Sequence, residues 1–376
     1  MSVDCVLQRF VIAIAVSGTL LMSDANAQNL QSPEVLPDGR VTLRLRAPKA
    51  SAVEVSLSGK PLTMIKTGQG VWEGTSETLA PQIYDYAFNV DGTTVIDPSN
   101  RWVKKWLNLQ SMVEVPGTPP LLTEFTDVPH GSVQRVIYSS KSVGAVRPLM
   151  VYTPPGYEAA KDVTYPVVLL LHGYGDDETA WTEVGRAHLL ADNLIAAGRI
   201  EPVVIAMPYG HPVPLKLSER PDNYFGRNNE LYEQDLTEDV LPFLEERFRV
   251  SRDASGRSIV GLSMGGGHAL DTGLKNIDKF SSIGAFSAAT TQQDSEPLTT
   301  TYPALAGPEP AANTLKNLFI PIGTSDFLLD RNEKFVELLK AAGIRHEYLK
   351  TDGGHDWKLW RDFLPQFLEK VAPAKK

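Results

Sequence analysis

The chain has 376 residues, 42% hydrophobic and 22% charged, with a net charge of −9. Length and balance suit a globular protein of two or three domains with a sizeable core, and they exclude bulk disorder. The acidic balance, with no basic block anywhere, argues against nucleic acid or an anionic membrane as the main partner, whereas a polysaccharide or a small neutral ester meets no such barrier.

Residues 1–27 read as a signal peptide. Arg9 supplies the positive charge, Phe10 to Met22 the apolar stretch, and Ala25-Asn26-Ala27 a small-residue site for cleavage after Ala27. The apolar run is about 13 residues long and a membrane span needs about 20, so export to the periplasm or beyond is expected, without stable membrane insertion. The single cysteine, Cys5, lies in this segment, so the mature chain is expected to lack disulfides and cysteine-based metal sites.

From Val41 to about Val95 the apolar residues alternate with period two: Val41, Leu43, Leu45; Val53, Val55, Leu57; Tyr84, Tyr86, Phe88, Val90. Turn signals at Pro37-Asp38-Gly39, Ser58-Gly59, Gly68-Gln69-Gly70 and Asp91-Gly92 separate the runs. This predicts a small all-β, immunoglobulin-like sandwich over residues 28–125. Its last part, Val115-Pro116-Gly117-Thr118-Pro119-Pro120, reads as a linker, because proline lacks a backbone donor and disfavours helix in the residue before it.

Beyond the linker, over 126–376, the rhythm changes. Strands are predicted at 133–139 and 149–153, and the apolar runs 167–171 and 203–207 suit strands buried on both faces of a mostly parallel sheet. Helical spacing covers 181–197 and 231–248. Strand 258–262, helix 264–276, strands 280–286 and 318–322, helix 331–342, strand 346–350 and helix 357–371 continue the alternation. Strands alternating with helices give an α/β fold.

Gly261-Leu262-Ser263-Met264-Gly265 falls between an apolar strand and a helix. That is the setting of a nucleophile elbow, a strained turn that lifts a serine hydroxyl above the sheet of an α/β-hydrolase. A serine hydroxyl needs a base, and the base needs an orienting group. In this fold the order is serine, acid, histidine. His355 sits in the loop Asp352-Gly353-Gly354-His355-Asp356, between the last strand and the last helix and at the same sheet edge as Ser263. His268, on the helix after the elbow, points away, and His346 begins a strand. The acid is expected at Asp326, in the loop after strand 318–322; its rival Asp330 reads as a helix cap, and Asp352 and Asp356 lie too close in sequence to His355. The oxyanion donors are expected to be the backbone N–H groups of Met264 and of Tyr174, in Leu171-His172-Gly173-Tyr174-Gly175. His172 has no second metal ligand at a suitable spacing, so its ring is expected to make a structural hydrogen bond.

Taken together, His172-Gly173-Tyr174-Gly175 with Trp181, Gly261-Leu262-Ser263-Met264-Gly265-Gly266-Gly267, Gly323-Thr324-Ser325-Asp326 and Gly353-Gly354-His355-Asp356 resemble carbohydrate esterase family 1. That family holds feruloyl and acetylxylan esterases, with enterochelin esterases as distant relatives. The resemblance covers about residues 130–372 and implies Ser263, Asp326 and His355 as the triad, with no metal or cofactor. It also implies an ester-bearing oligosaccharide or polysaccharide as substrate, and Tyr174, Trp181 and Trp357 as substrate contacts. Arg46-Ala47-Pro48, Gly70-Val71-Trp72, Tyr84-Asp85-Tyr86 and Asp97-Pro98 are similar to the early-set, carbohydrate-binding-module family 48 type, whose aromatics (here Trp72, Trp102 and Trp106) would stack on sugars. The polar segment His211 to Asn229 reads as an insertion beside the site. Two other functions stay open at this point: a siderophore esterase, and a glycan-binding protein on an inactive hydrolase scaffold. The sequence does not fix the oligomeric state.

Overall fold

The structure is a computed structural model that describes residues 30–105, 107–215, 222–290, 298–307 and 309–374. The signal-peptide segment and Trp106 therefore lie outside the described residues.

The alternating apolar residues of the first region build two antiparallel sheets. One runs in the order Glu34–Val35, Val41–Arg46, Val71–Thr75, Ile65–Lys66. The other runs Lys60–Leu62, Val53–Leu57, Gln82–Val90, Gln110–Val115, Val103–Lys104, with Thr93–Val95 paired to Gln82–Val90. Val41, Leu43, Leu45 and Trp72 of the first sheet pack on Val55, Tyr86, Phe88 and Val113 of the second. This is the expected sandwich. Residues 117–130 hold no strand, yet they are pinned to the next region: Asn193 Nδ2 donates to the carbonyls of Leu122 (2.8 Å) and Glu124 (3.0 Å).

Eight strands then form the main sheet: β1 (Ser132–Ser140), β2 (Ala145–Thr153), β3 (Val167–Leu171), β4 (Val204–Pro208), β5 (Arg257–Leu262), β6 (Ser282–Phe286), β7 (Asn317–Gly323) and β8 (Glu347–Thr351). Their order is β1-β2-β4-β3-β5-β6-β7-β8. β1 and β2 form a hairpin, β2 lies antiparallel to β4, and every pair from β4 onward is parallel. β3 shows why its run is wholly apolar. Val167, Leu169 and Leu171 enter one core layer, and Val168 and Leu170 enter the other. This is the α/β-hydrolase architecture, with the sandwich preceding it.

Helices cover both faces: α1 (Ala180–Glu183), α2 (Ala187–Ala196), α3 (Tyr224–Gln234), α4 (Leu241–Arg247), α5 (Met264–Lys275), α6 (Leu298–Thr301), α7 (Leu329–Ala341) and α8 (Trp357–Val371). Two differ from expectation. The single helix predicted over 181–197 is broken into α1 and α2, because Gly185 packs against the Trp181 and Trp357 rings and Arg186 takes a left-handed φ of 54°. The helix predicted over 231–248 begins earlier, at Tyr224, and passes through a π-helical stretch at Asp235–Val240. Its first turns are polar and carry no apolar stripe, since Asn228 and Asn229 turn inward to hydrogen-bond Gly210 and His268.

The sandwich is clamped to the α/β layers by two cations. The buried Arg361 guanidinium donates from Nη1 to the Val184 carbonyl (3.0 Å) and from Nη2 to the Ile83 carbonyl (3.2 Å). Arg186 lies 4.1 Å above the Trp102 ring, whose indole N–H donates to the Glu183 carbonyl. Trp72 is a core residue that donates to the Ala47 carbonyl. Trp72 and Trp102 therefore pack the structure instead of offering open sugar platforms.

Replacing Arg361 strands two buried carbonyls, at about 1–3 kcal/mol each. We expect Arg361→Leu to lower the urea midpoint accordingly. Arg361→Lys is expected to recover only part of the loss, because an ammonium cannot reproduce the two-pronged fork. An unchanged midpoint for Arg361→Leu would count against the clamp.

Candidate active site

β5 ends at Leu262 and α5 begins at Met264, leaving Ser263 alone in the turn with φ 52° and ψ −116°. A side chain in that region costs on the order of 1–3 kcal/mol of strain, so neighbours must hold it. They do so through the backbone: Ser263 N–H donates to the Phe286 carbonyl (2.8 Å), and Ala289 N–H donates to the Ser263 carbonyl (2.9 Å). The flanking glycines are steric requirements. A β-carbon on Gly261 would lie 2.4 Å from the Gly265 carbonyl oxygen, and one on Gly265 would lie 2.5 Å from that of His172.

The structure brings Ser263, His355 and Asp326 together from three separate loops. Ser263 Oγ and His355 Nε2 are 2.9 Å apart, and His355 Nδ1 lies 3.0 and 2.9 Å from the two Asp326 oxygens. With Nδ1 donating to the carboxylate, Nε2 is left to accept the serine proton. Burial raises the Asp326 carboxyl, but hydrogen bonds from His355 and the Leu328 N–H more than offset it, and its pKa lies below the ordinary value. Asp330 stands inside the first turn of α7 and makes no cap; Leu328 holds the cap position. Asp356 caps α8, accepting from Leu359 N–H. His346 bonds the Ile344 carbonyl, away from the site.

The loop after β3 lies over Ser263. A β-carbon on Gly173 would sit 3.6 Å from Ser263 Cβ, so Tyr174 follows directly beside Ser263. Met264 is the first residue of α5, and its N–H has no partner within the helix. Two buried histidines fasten the loop. His172 Nε2 accepts from Gly210 N–H (2.7 Å) while Nδ1 donates to the Gly173 carbonyl (2.8 Å), the structural role expected of it. His211 Nε2 accepts from Gly175 N–H (3.2 Å) while Nδ1 donates to Tyr224 Oη (2.8 Å). Sequence reasoning placed His211 only in a polar insertion. Its signal was a histidine just past the end of a buried strand, at the same edge as Ser263.

Two cavities flank Ser263, each of roughly 700 Å³. Both touch Ser263, Tyr174 and the exposed Phe327, whose ring lies 4.5 Å from that of His355. One reaches toward α3, Phe225, Asn229 and Arg331. The other opens between the α/β layers and the sandwich, and Trp357 lines it. Trp181 does not reach either. It is 1% exposed, donates its N–H to the Leu171 carbonyl and lies behind Trp357, with ring centroids 5.0 Å apart; the helical turn of α1 points it into the core.

The two fastening histidines give a pH prediction. Burial lowers His172 to about 4, and burial with the neighbouring His172 and His268 lowers His211 to about 2. An unfolded histidine titrates near 6.5, so below that pH the unfolded chain binds more protons than the folded one. Their contribution is therefore complete above pH 6.5 and shrinks as pH falls toward 4. Removing one such proton uptake flattens stability against pH by about 1.4 kcal/mol per pH unit. We expect His211→Gln to show that flattening in urea unfolding between about pH 5.5 and 4; an unchanged slope would refute the neutral-histidine assignment.

Residues 140–371 match the family model described as "Putative esterase". The chain is 32% identical over 359 residues to an endo-1,4-beta-xylanase/feruloyl esterase of Xylanibacter ruminicola, a match covering 93% of this chain and 46% of the relative, so the chain spans about half that relative's length. A solved ferulic acid esterase aligns with TM-score 0.56 and 28% identity over 65% of this chain and 98% of its own. The enterobactin esterase of Shigella flexneri aligns with TM-score 0.67 over 93% of this chain and 98% of its own, at 19% identity, and so shares the fold of sandwich and α/β layers together. The resemblance read from the ordered motifs holds, and the chain belongs to the esterase family.

Proposed function

We propose that this protein is an exported serine esterase that removes feruloyl or acetyl groups from plant cell-wall polysaccharide such as xylan. The observation that carries the reading is the continuous Asp326–His355–Ser263 hydrogen-bond chain at the meeting point of two cavities. The substrate class is supported by the xylanase/feruloyl esterase relative, and export by the features of residues 1–27.

Ser263 Oγ attacks the ester carbonyl carbon while His355 Nε2 takes its proton. The tetrahedral oxygen gathers charge between the Tyr174 and Met264 N–H groups. Collapse breaks the bond to the sugar oxygen, which leaves with the proton from Nε2, and the acyl group stays on Ser263. Water then attacks the acyl carbon and passes a proton to His355; Ser263 Oγ departs with that proton and the free acid is released. Asp326 holds the histidine tautomer and stabilises the imidazolium in both steps.

Ser263→Ala is expected to fold normally and to lose turnover of a nitrophenyl ester, and substantial residual turnover would sink the assignment. Asp326→Asn is expected to lower kcat by on the order of 10⁴-fold, as loss of the orienting acid does in serine triads. Among methyl ferulate, acetylated xylan and a ferric trilactone siderophore, we expect hydrolysis of one or both of the first two. Hydrolysis of the siderophore alone would replace this reading with a siderophore esterase. Binding to a xylan gel with no hydrolysis would leave a glycan-binding protein.

A further inference from the structure

The cavity that opens toward the sandwich takes its walls from both parts of the chain. Ile83, Met112, Val184, Leu262 and Trp357 make it largely apolar. Polar and charged side chains line it as well, and two of them stand out, one from each part of the chain. Gln82 Oε1, from the sandwich, and Asp176 Oδ1, from the loop after β3, are buried acceptors with no hydrogen-bond partner among the described residues. Asp176 is only 6% exposed. A β-carbon on Gly173 would lie 3.4 Å from Asp176 Oδ2 and 3.6 Å from Ser263 Cβ, which puts this carboxyl within about 7 Å of the nucleophile's side chain.

An unpartnered buried acceptor is costly, and a ligand that brings a donor removes the cost. The charges around the cavity narrow the donor. Lys104, Lys358 and Arg361 line it and oppose a cation, while Asp85, paired with Lys104 at 3.2 Å, Asp176 and Asp356 oppose an anion. A neutral hydroxyl group can donate its one proton to either acceptor and offends neither charge. A pocket that combines apolar walls with polar groups is the usual form of a small-molecule site. The position of Gln82 is fixed as well: the adjacent Ile83 carbonyl is held by Arg361, and Trp102 and Arg186 clamp the sandwich nearby.

We propose that Gln82 and Asp176 form a hydroxyl-recognition site for the ester substrate across this seam, making the sandwich a specificity wall of the esterase site. The proposal rests on Ser263 as the nucleophile. The hydroxyl belongs either to the acyl group, as a phenol, or to the sugar that carries it.

The test compares kcat/KM ratios, which cancel any general loss of activity. The first ratio is methyl p-hydroxycinnamate over methyl cinnamate; the second is feruloyl-arabinose over methyl ferulate. In Gln82→Leu and Asp176→Ala, at least one ratio is expected to fall about 10-fold, the size expected when a hydrogen bond to a buried acceptor is lost. A fall in the first ratio places the hydroxyl on the acyl group, and a fall in the second places it on the sugar. Glu54→Ala, on an exposed position of the same sandwich, serves as control. Both ratios staying within about twofold of wild type in both variants would overturn the proposal. Failure of the nucleophile assignment reads out separately, as activity retained by Ser263→Ala.

Discussion

The geometry of the site depends on one close approach, that of the start of α5 to the ends of β3 and β5. Gly265 rests against the carbonyls of Leu171 and His172, and Gly261 rests against Gly265, at distances that exclude any β-carbon. Only with the helix pressed this close does the single residue between β5 and α5 take φ 52°. The same approach puts the Met264 N–H and the loop after β3 beside Ser263 Oγ. Strain at one residue and the placement of the proposed oxyanion donors are thus one packing event. The bonds from Ser263 N–H to Phe286 and from Ala289 N–H to Ser263 tie it to β6 and its following loop.

Around this turn the polar core is arranged so that one histidine differs from the others. His172, His211 and His268 are all buried, and burial lowers each of them, His268 to about 3. They serve as fixed acceptors and donors that hold Gly210, Gly175 and Asn229. The buried Arg147, bonded to Asp235 at 3.0 Å and lying under the Tyr209 ring, adds positive charge that further opposes protonation of His172 and His211. Among the described histidines only His130 and His355 pair with a carboxylate, and of these only His355 also meets a serine. The pairing with Asp326 sets the group that can accept a proton apart from the groups that act as fasteners.

Much of this was legible in the sequence, for definable reasons. β5, the elbow and α5 are local, and their glycines announce the close packing. Asp326 and His355 followed from strand order, because loops at one end of a parallel sheet share an edge. The helix expected over 357–371 stands at those bounds, capped by Asp356. What failed was decided by tertiary packing. Trp181 follows the loop after β3 in sequence, but one turn of helix carries its ring beneath the sheet end. The start of α3 was hidden because its inward residues are asparagines whose partners, Gly210 and His268, lie far away in the chain.

The aromatics of the sandwich make the same point from the other direction. Tryptophans in a sandwich of this type suggest stacking on sugar, yet Trp72 fills its core and Trp102 seats Arg186 and the end of α1. A side chain that docks two layers cannot also lie open as a platform. The contribution of the sandwich therefore shifts from its aromatics to the edge facing the α/β layers, where Gln82, Asp85 and Lys104 enter the cavity beside Ser263. That edge is invisible to any one-dimensional pattern. It is held in place where Arg361, the fifth residue of α8, reaches back across the seam to the carbonyl of Ile83. Chemistry in this chain is set within one sheet edge, whereas the shape that a substrate meets is set by how firmly the sandwich is held against it.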